Sequence, residues 1–158
     1  MDTIIPETVP STVKKAFKEA DQYFPTEIQK FQYFDKYSRF DYDKMRRETW
    51  EETVDRYMDF VEGSLNEHNN YNLPADLKSE LISAILNTEI MPSMRGVMTA
   101  GPALGRDSTC VYNCSYLPVE SLRSFDEAMY ILMCGTGVGY SVESRYVNQL
   151  PVINEHFE

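Results

Sequence analysis

A chain of 158 residues that is 42% hydrophobic and 13% aromatic has the material for a folded domain with its own core, which excludes a disordered polymer. Its net charge of -10 excludes nucleic acid as a partner, because a phosphate backbone is bound through clustered Lys and Arg. The longest basic run, Lys44-Met45-Arg46-Arg47, is set among Asp41, Asp43, Glu48, Glu51 and Glu52 and reads as a solvated helix face.

No apolar run approaches the ~20 residues of a membrane span, and residues 1–7 lack the basic start and apolar core of a secretory leader. The expectation is a cytoplasmic protein that engages no membrane. Three cysteines, an odd number, suit a reducing compartment better than a disulfide framework.

In chain order, a proline-punctuated arm leads to a helix over 11–23, with Val13, Phe17, Ala20 and Phe24 on one face and Pro25 as its stop. The aromatic tract Phe31, Tyr33, Phe34, Tyr37, Phe40 and Tyr42 has no clear period and reads as a short helix and loop packing rings on their neighbours. Residues 49–62 give the clearest helix. Trp50, Val54, Tyr57, Met58 and Val61 recur at helical spacing, Thr49 and Glu52 have the form of a capping box, and Gly63 marks the end. A polar loop over 64–74 contains His68 with no nearby group that suggests a metal site. Asp76 is expected to cap a further helix with Leu77, Leu81, Ile82, Ile85 and Leu86 inward.

At Met91-Pro92-Ser93 the character changes to small, β-branched and glycine residues that suit loops and short strands. Residues 110–117 read as a strand with Cys110, Tyr112, Cys114 and Tyr116 on one face, closed by Pro118. A helix follows from Ser124, with Glu127 completing a capping box and Phe125, Ala128, Met129, Leu132 and Met133 as its apolar face. It stops at Gly135, and residues 138–142 alternate as a second strand. Strand, helix and strand make a βαβ crossover, which requires a parallel sheet and a larger body.

The cysteines leave three readings open. A zinc site needs four ligands, and Cys110, Cys114, Cys134 and a distant His lack paired C-x-x-C spacing, so no metal site is expected. Burial as small apolar residues is the common fate of an unpaired thiol. The third reading is redox chemistry. The loop Gly135-Thr136-Gly137-Val138-Gly139 lacks the Lys-Ser/Thr of a P-loop and the spacing of a dinucleotide fingerprint, so by itself it shows only that the backbone needs freedom or close approach there.

The ordered set M-P-S-M-R (91–95), T-A-G-P-A-L (99–104), Y-N-C-S-Y-L-P-V (112–119) and F-D-E-A-M-Y-I-L-M-C-G-T-G-V-G-Y-S-V-E (125–143) resembles the N-terminal part of adenosylcobalamin-dependent, class II ribonucleotide reductases. The likeness is strongest to their monomeric, ribonucleoside-triphosphate branch. R-E-T-W-E-E-T-V (47–54) resembles the helical domain of the same enzymes.

The resemblance implies an α/β fold in which a helical domain, residues 1–90, precedes the start of a ten-stranded α/β barrel, residues 91–158, incomplete in this chain. It implies that Cys114 is one of the cysteine pair that reduces the ribose. Pro92, Ser93, Asn113, Thr136, Gly137, Val138 and Gly139 then line the substrate site, and Glu120, Ser121 and Leu122 correspond to an effector-contacting segment of dimeric relatives. Met91 stands where relatives often carry Thr.

Further implications concern the reaction. A cobalamin-derived radical makes a thiyl that takes the 3′ hydrogen of the ribose, and a cysteine pair supplies the proton and electrons that remove the 2′ hydroxyl. The implied partners are a ribonucleoside triphosphate, a deoxynucleotide effector, a dithiol reductant such as thioredoxin, and a chain carrying the rest of the barrel. Adenosylcobalamin is expected on the complete enzyme rather than on this chain alone. The family's radical cysteine and the partner of Cys114 have no counterparts here, so the chain is expected to be inactive by itself. The alternative is a non-catalytic nucleotide-binding or regulatory module of the same fold.

Overall fold

In the computed structural model, which describes residues 11–152, the chain opens with helix α1 (Ser11–Ala20). It is shorter than expected because the backbone tightens at its end. The N–H groups of Tyr23 and Phe24 both donate to the Ala20 carbonyl, at 3.2 and 2.9 Å. The chain divides after Pro102 into two units, described here one at a time.

In the first unit, helix α2 (Glu27–Gln32) starts from a capping box made by Thr26 and Gln29. A π-helical turn, Tyr33–Tyr37, extends it and turns Tyr33 and Phe34 into the core. The aromatic tract therefore splits. Phe31, Phe40 and Tyr42 stay exposed. The basic run is not on a helix: β1 (Phe40–Asp41) and β2 (Arg46–Arg47) pair antiparallel as a hairpin. The Asp41 carboxylate accepts the N–H groups of Asp43 and Lys44, each at 3.0 Å, which closes the turn.

Helix α3 (Trp50–Asn69) has the expected capping box, with the Glu52 N–H on Thr49 Oγ1 at 3.3 Å and the Thr49 N–H on Glu52 Oε2 at 2.8 Å. Gly63 does not end it. No atom outside the helix lies within 4 Å of where its Cβ would stand, so glycine costs some helix propensity there but blocks nothing. The helix ends instead at Asn70, in the left-handed region at φ 50°. Helix α4 (Ala75–Leu86) follows Pro74, and Asp76 sits in its first turn without capping it.

The core of this unit joins Ala20, Tyr33, Phe34, Trp50, Val54, Met58, Ile85 and Val97. Tyr33 meets the Trp50 ring edge-on at 5.4 Å, and its hydroxyl shares a 2.7 Å hydrogen bond with Thr53. Leu77, expected inward, is exposed.

Residues after Met91 form helical turns rather than the loops and short strands expected. Ser93 Oγ accepts the Gly96 N–H at 3.3 Å and starts α5 (Met94–Thr99). The carbonyls at the end of α5 are taken by two guanidinium groups. Arg39 donates to Met98 at 2.8 Å, and Arg56 donates to Val97 and Ala100 at 3.0 and 2.9 Å. Arg56 is itself paired with Glu48, at 2.9 Å from Nε to Oε1 and 3.0 Å from Nη2 to Oε2.

The second unit begins within the turn α6 (Pro102–Arg106), which leads to a 3-10 turn, Ser108–Val111. Strand β3 (Cys114–Pro118), helix α7 (Arg123–Met133) and strand β4 (Gly137–Ser141) follow, and a last turn, α8 (Ser144–Val147), closes the described part. The two strands pair parallel, so the βαβ crossover is present. Cys110 lies in the 3-10 turn and not on the strand. Helix α7 has no capping box: its N-cap is Leu122, and Glu127 pairs with Arg123 at 3.1 Å. Phe125, Met129, Leu132 and Met133 are all exposed, so the expected apolar face is uncovered among the described residues. Those residues form mixed helix with two two-stranded sheets, and no barrel.

Candidate functional site

Register decides what surrounds Cys114. Cys114 pairs with Gly137 and Tyr116 with Gly139, and paired residues share a face of the sheet. On the other face Ser115, Leu117 and Val138 are half-buried, with Tyr140 at its end exposed, and α7 packs against both strands. The face carrying the Cys114 thiol is thus the one away from α7, and its partner strand offers bare backbone at two of its positions.

The glycines are there for different reasons. Gly135, at φ 90°, makes the left-handed turn that ends α7, a conformation costly for any residue with a Cβ. A Cβ on Gly137 would stand 3.3 Å from the Asn113 carbonyl oxygen, which already accepts the Gly137 N–H at 3.0 Å. A Cβ on Gly139 would meet only Ser115 O, at 3.6 Å, an ordinary contact. The fold therefore tolerates a side chain at 139 that the sequence does not supply.

Thr136 points inward. Its hydroxyl lies 2.7 Å from the Thr109 carbonyl and 3.0 Å from that of Tyr112, and the residue is 2% exposed. This clamp ties the glycine loop to the turn that delivers β3, so Thr136 offers backbone but no side chain to a ligand. Ser115 Oγ adds a 3.2 Å bond to the Gly137 carbonyl.

Sequence reasoning missed a second clamp. The Asp107 carboxylate accepts the Thr109 N–H at 2.8 Å, the Tyr130 hydroxyl at 2.7 Å and the Cys134 thiol at 3.6 Å. Its hydrogen bonds, those from Thr109 foremost, hold its carboxyl below the usual carboxylate range. The bond to Asp107 pushes the Tyr130 phenol up to about 12. The signal was available in D-S-T (107–109), an N-cap residue before a turn. Cys134 is accounted for by this contact.

The other expected site residues are distributed as follows. Asn113, exposed, precedes the strand. Glu120, Ser121 and Leu122 are exposed in the loop after β3, where Ser121 and Ser124 hydroxyls lie 3.4 Å apart. Pro92 and Ser93 belong to the first unit, where Ser93 caps α5. The three cysteines form no disulfide, and Cys114 is the exposed one. Among the described residues no three His, Cys, Asp or Glu side chains converge as a metal site, and no helix is long and apolar enough to cross a membrane.

The same residues bear on cobalamin. The described part of the second unit contains no histidine to ligate cobalt, and its open face is two strands wide. These residues do not by themselves fit a corrin.

The fold has a counterpart among solved structures. The crystal structure of a B12-dependent, class II ribonucleotide reductase superposes with a TM-score of 0.66 at 21% identity, over 87% of this chain and 23% of its own. The two share a fold over that stretch, and the chain spans about a quarter of that reductase. No protein-family model and no curated protein matches the sequence.

Proposed function

We propose that the chain is the N-terminal part of a ribonucleotide reductase, with Cys114 as one member of the cysteine pair that reduces a ribonucleoside triphosphate. The observation that carries this reading is the exposed thiol of Cys114 on a sheet face whose neighbouring strand is glycine at 137 and 139. Glycine at both positions leaves room for a ligand to approach the thiol and the neighbouring backbone closely. The likeness of fold to a class II reductase supports it.

In this reading two thiols, Cys114 and one on a later barrel strand, close to a disulfide. They give up two protons and two electrons, the 2′ hydroxyl leaves as water, and the carbon gains hydrogen. An external dithiol reopens the disulfide. The protein's part is to hold the thiol and the loop backbone against the nucleotide. Adenosylcobalamin, which the described residues do not hold by themselves, would supply the radical in a whole enzyme. The roles of Pro92, Ser93 and Asn113 at the substrate, and of Glu120, Ser121 and Leu122 at an effector, belong to the same proposal.

The test is reconstitution. The chain combined with the remaining barrel, adenosylcobalamin and a dithiol should form deoxynucleotide, and the chain alone should not. Cys114→Ser should abolish product while leaving the fold intact, because a hydroxyl cannot close a disulfide. Cys110→Ser and Cys134→Ser should retain turnover. Full activity of the Cys114 variant would refute the assignment.

A further inference from the structure

We propose that Tyr116 is a substrate-contact residue of this site, its ring offering a stacking face to the nucleotide's base. The inference rests on the reductase reading above and adds to it a residue that neither the motifs nor the fold likeness assigns.

Tyr116 lies two residues beyond Cys114 on the same face of β3, about 6.6 Å further along the strand. Its partner across the ladder is Gly139, so no side chain of β4 stands directly opposite it, and the residue is 61% exposed. A nucleotide with its ribose at the thiol extends its base over a distance of that order. An exposed aromatic ring on the open face of a strand, beside a glycine that the fold does not require, is the arrangement a planar base fills. The loop backbone at Gly137 is left for the more polar end of the ligand.

The hydroxyl of Tyr116 has a neighbour of its own. Tyr146, on α8, has its phenol beside that of Tyr116, which raises the Tyr146 pKa. The Arg145 guanidinium stands 4.7 Å over the Tyr146 ring and 2.7 Å from Glu143. The hydroxyl end of Tyr116 is thereby directed at Tyr146. This favours the ring face, rather than the hydroxyl, as the group offered to a ligand.

The experiment is done in the reconstituted reductase, with Tyr116→Leu and Tyr116→Phe beside Cys114→Ser. Stacking on one aromatic ring is worth a factor of about ten or more in affinity. Tyr116→Leu should therefore raise KM for the ribonucleoside triphosphate about tenfold while kcat changes far less, and Tyr116→Phe should recover most of that loss. An unchanged KM in Tyr116→Leu, or equal damage in the Phe variant, would overturn the stacking assignment while leaving Cys114 in place.

A second measurement separates the two proposals. Titration of the full chain with a ribonucleoside triphosphate, followed by NMR, should move the base protons upfield in wild type and in Cys114→Ser but not in Tyr116→Leu. Inorganic tripolyphosphate should bind all three alike. Base shifts that persist in Tyr116→Leu would refute this inference. Turnover by Cys114→Ser would instead refute the reductase reading.

Discussion

Gly137 and Gly139 lie two residues apart on one face of one strand, and alanine at each should behave differently. Neither has a positive φ, so alanine is unstrained at both and recovers the roughly 0.5–1 kcal/mol that glycine costs in a strand. At 139 the added methyl meets only Ser115 O, at 3.6 Å, so the recovery should stand and the chain should be more stable by about 0.5–1 kcal/mol. At 137 the methyl comes within 3.3 Å of the Asn113 carbonyl, which must shift while bonded to the same residue's N–H. Weakening that bond costs about 0.5–1.5 kcal/mol, which cancels or outweighs the gain. Both methyls intrude on the face beside Cys114. An extra methyl in a fitted site costs about 1–3 kcal/mol, so KM in the reconstituted enzyme should rise roughly tenfold for either variant. Urea midpoints of the chain and KM values of the assembly measure the two effects separately. A Gly139→Ala variant that is stabilised and binds nucleotide as well as wild type would refute the claim that this face receives a ligand.

Thr136→Val keeps the shape of a buried side chain but removes the donor shared by the Thr109 and Tyr112 carbonyls. It should lower stability by about 1–3 kcal/mol in urea unfolding, with Thr136→Ser recovering part of it. Under native conditions a maleimide should label Cys114 faster than the half-buried Cys110 and Cys134, read by mass spectrometry of the digested chain. The Glu52 carboxyl is held below its ordinary range by hydrogen bonds from Arg46 first, then Lys44 and the Thr49 N–H. Its folded-state pKa is depressed, so its contribution to the first unit is present above the unfolded value near ~4.3 and is lost as pH falls through the folded one. The urea midpoint followed from pH 7 to 3 should therefore drop more steeply in wild type than in Glu52→Gln.

How much of this was legible depended on whether local residues decided the outcome. The α3 cap and the βαβ crossover were legible because Thr49, Glu52 and the turn at Gly135 act through near neighbours. Gly63 misled because its cost to a helix is small beside the packing of Trp50, Val54 and Met58 on the same helix. The helical turn after Pro92 was hidden for a different reason. Its last carbonyls are satisfied by Arg39 and Arg56, 59 and 44 residues away in sequence from Met98 and Ala100, and no local pattern announces such partners. At the site, Cys114 and the glycines could be read from the chain, but their pairing across β3 and β4 is a matter of register. The Asp107 clamp was missed because Tyr130 and Cys134 are brought to it only by the return of α7.

The uncovered side of α7 bears on function as much as the site does. A parallel pair is ordinarily buried on both faces, with helices on one and further structure on the other. Here the two-stranded sheet has α7 on one face only, and that helix exposes Phe125, Met129, Leu132 and Met133. Exposed apolar side chains in such a row mark an interaction surface. Cys114, Tyr116, Gly137 and Gly139 face the opposite way, so the same unit presents an apolar helix on one side and a thiol with bare backbone on the other. Additional strands paired to the edges of β3 and β4 would extend the face with the thiol and bring side chains opposite Cys114. In the proposed reaction a second thiol would stand there. The sheet face that α7 leaves uncovered is thus also the face where the proposed reaction needs a second sulfur, while the apolar row of α7 lies on the other side; under the proposed function both call for structure beyond this unit.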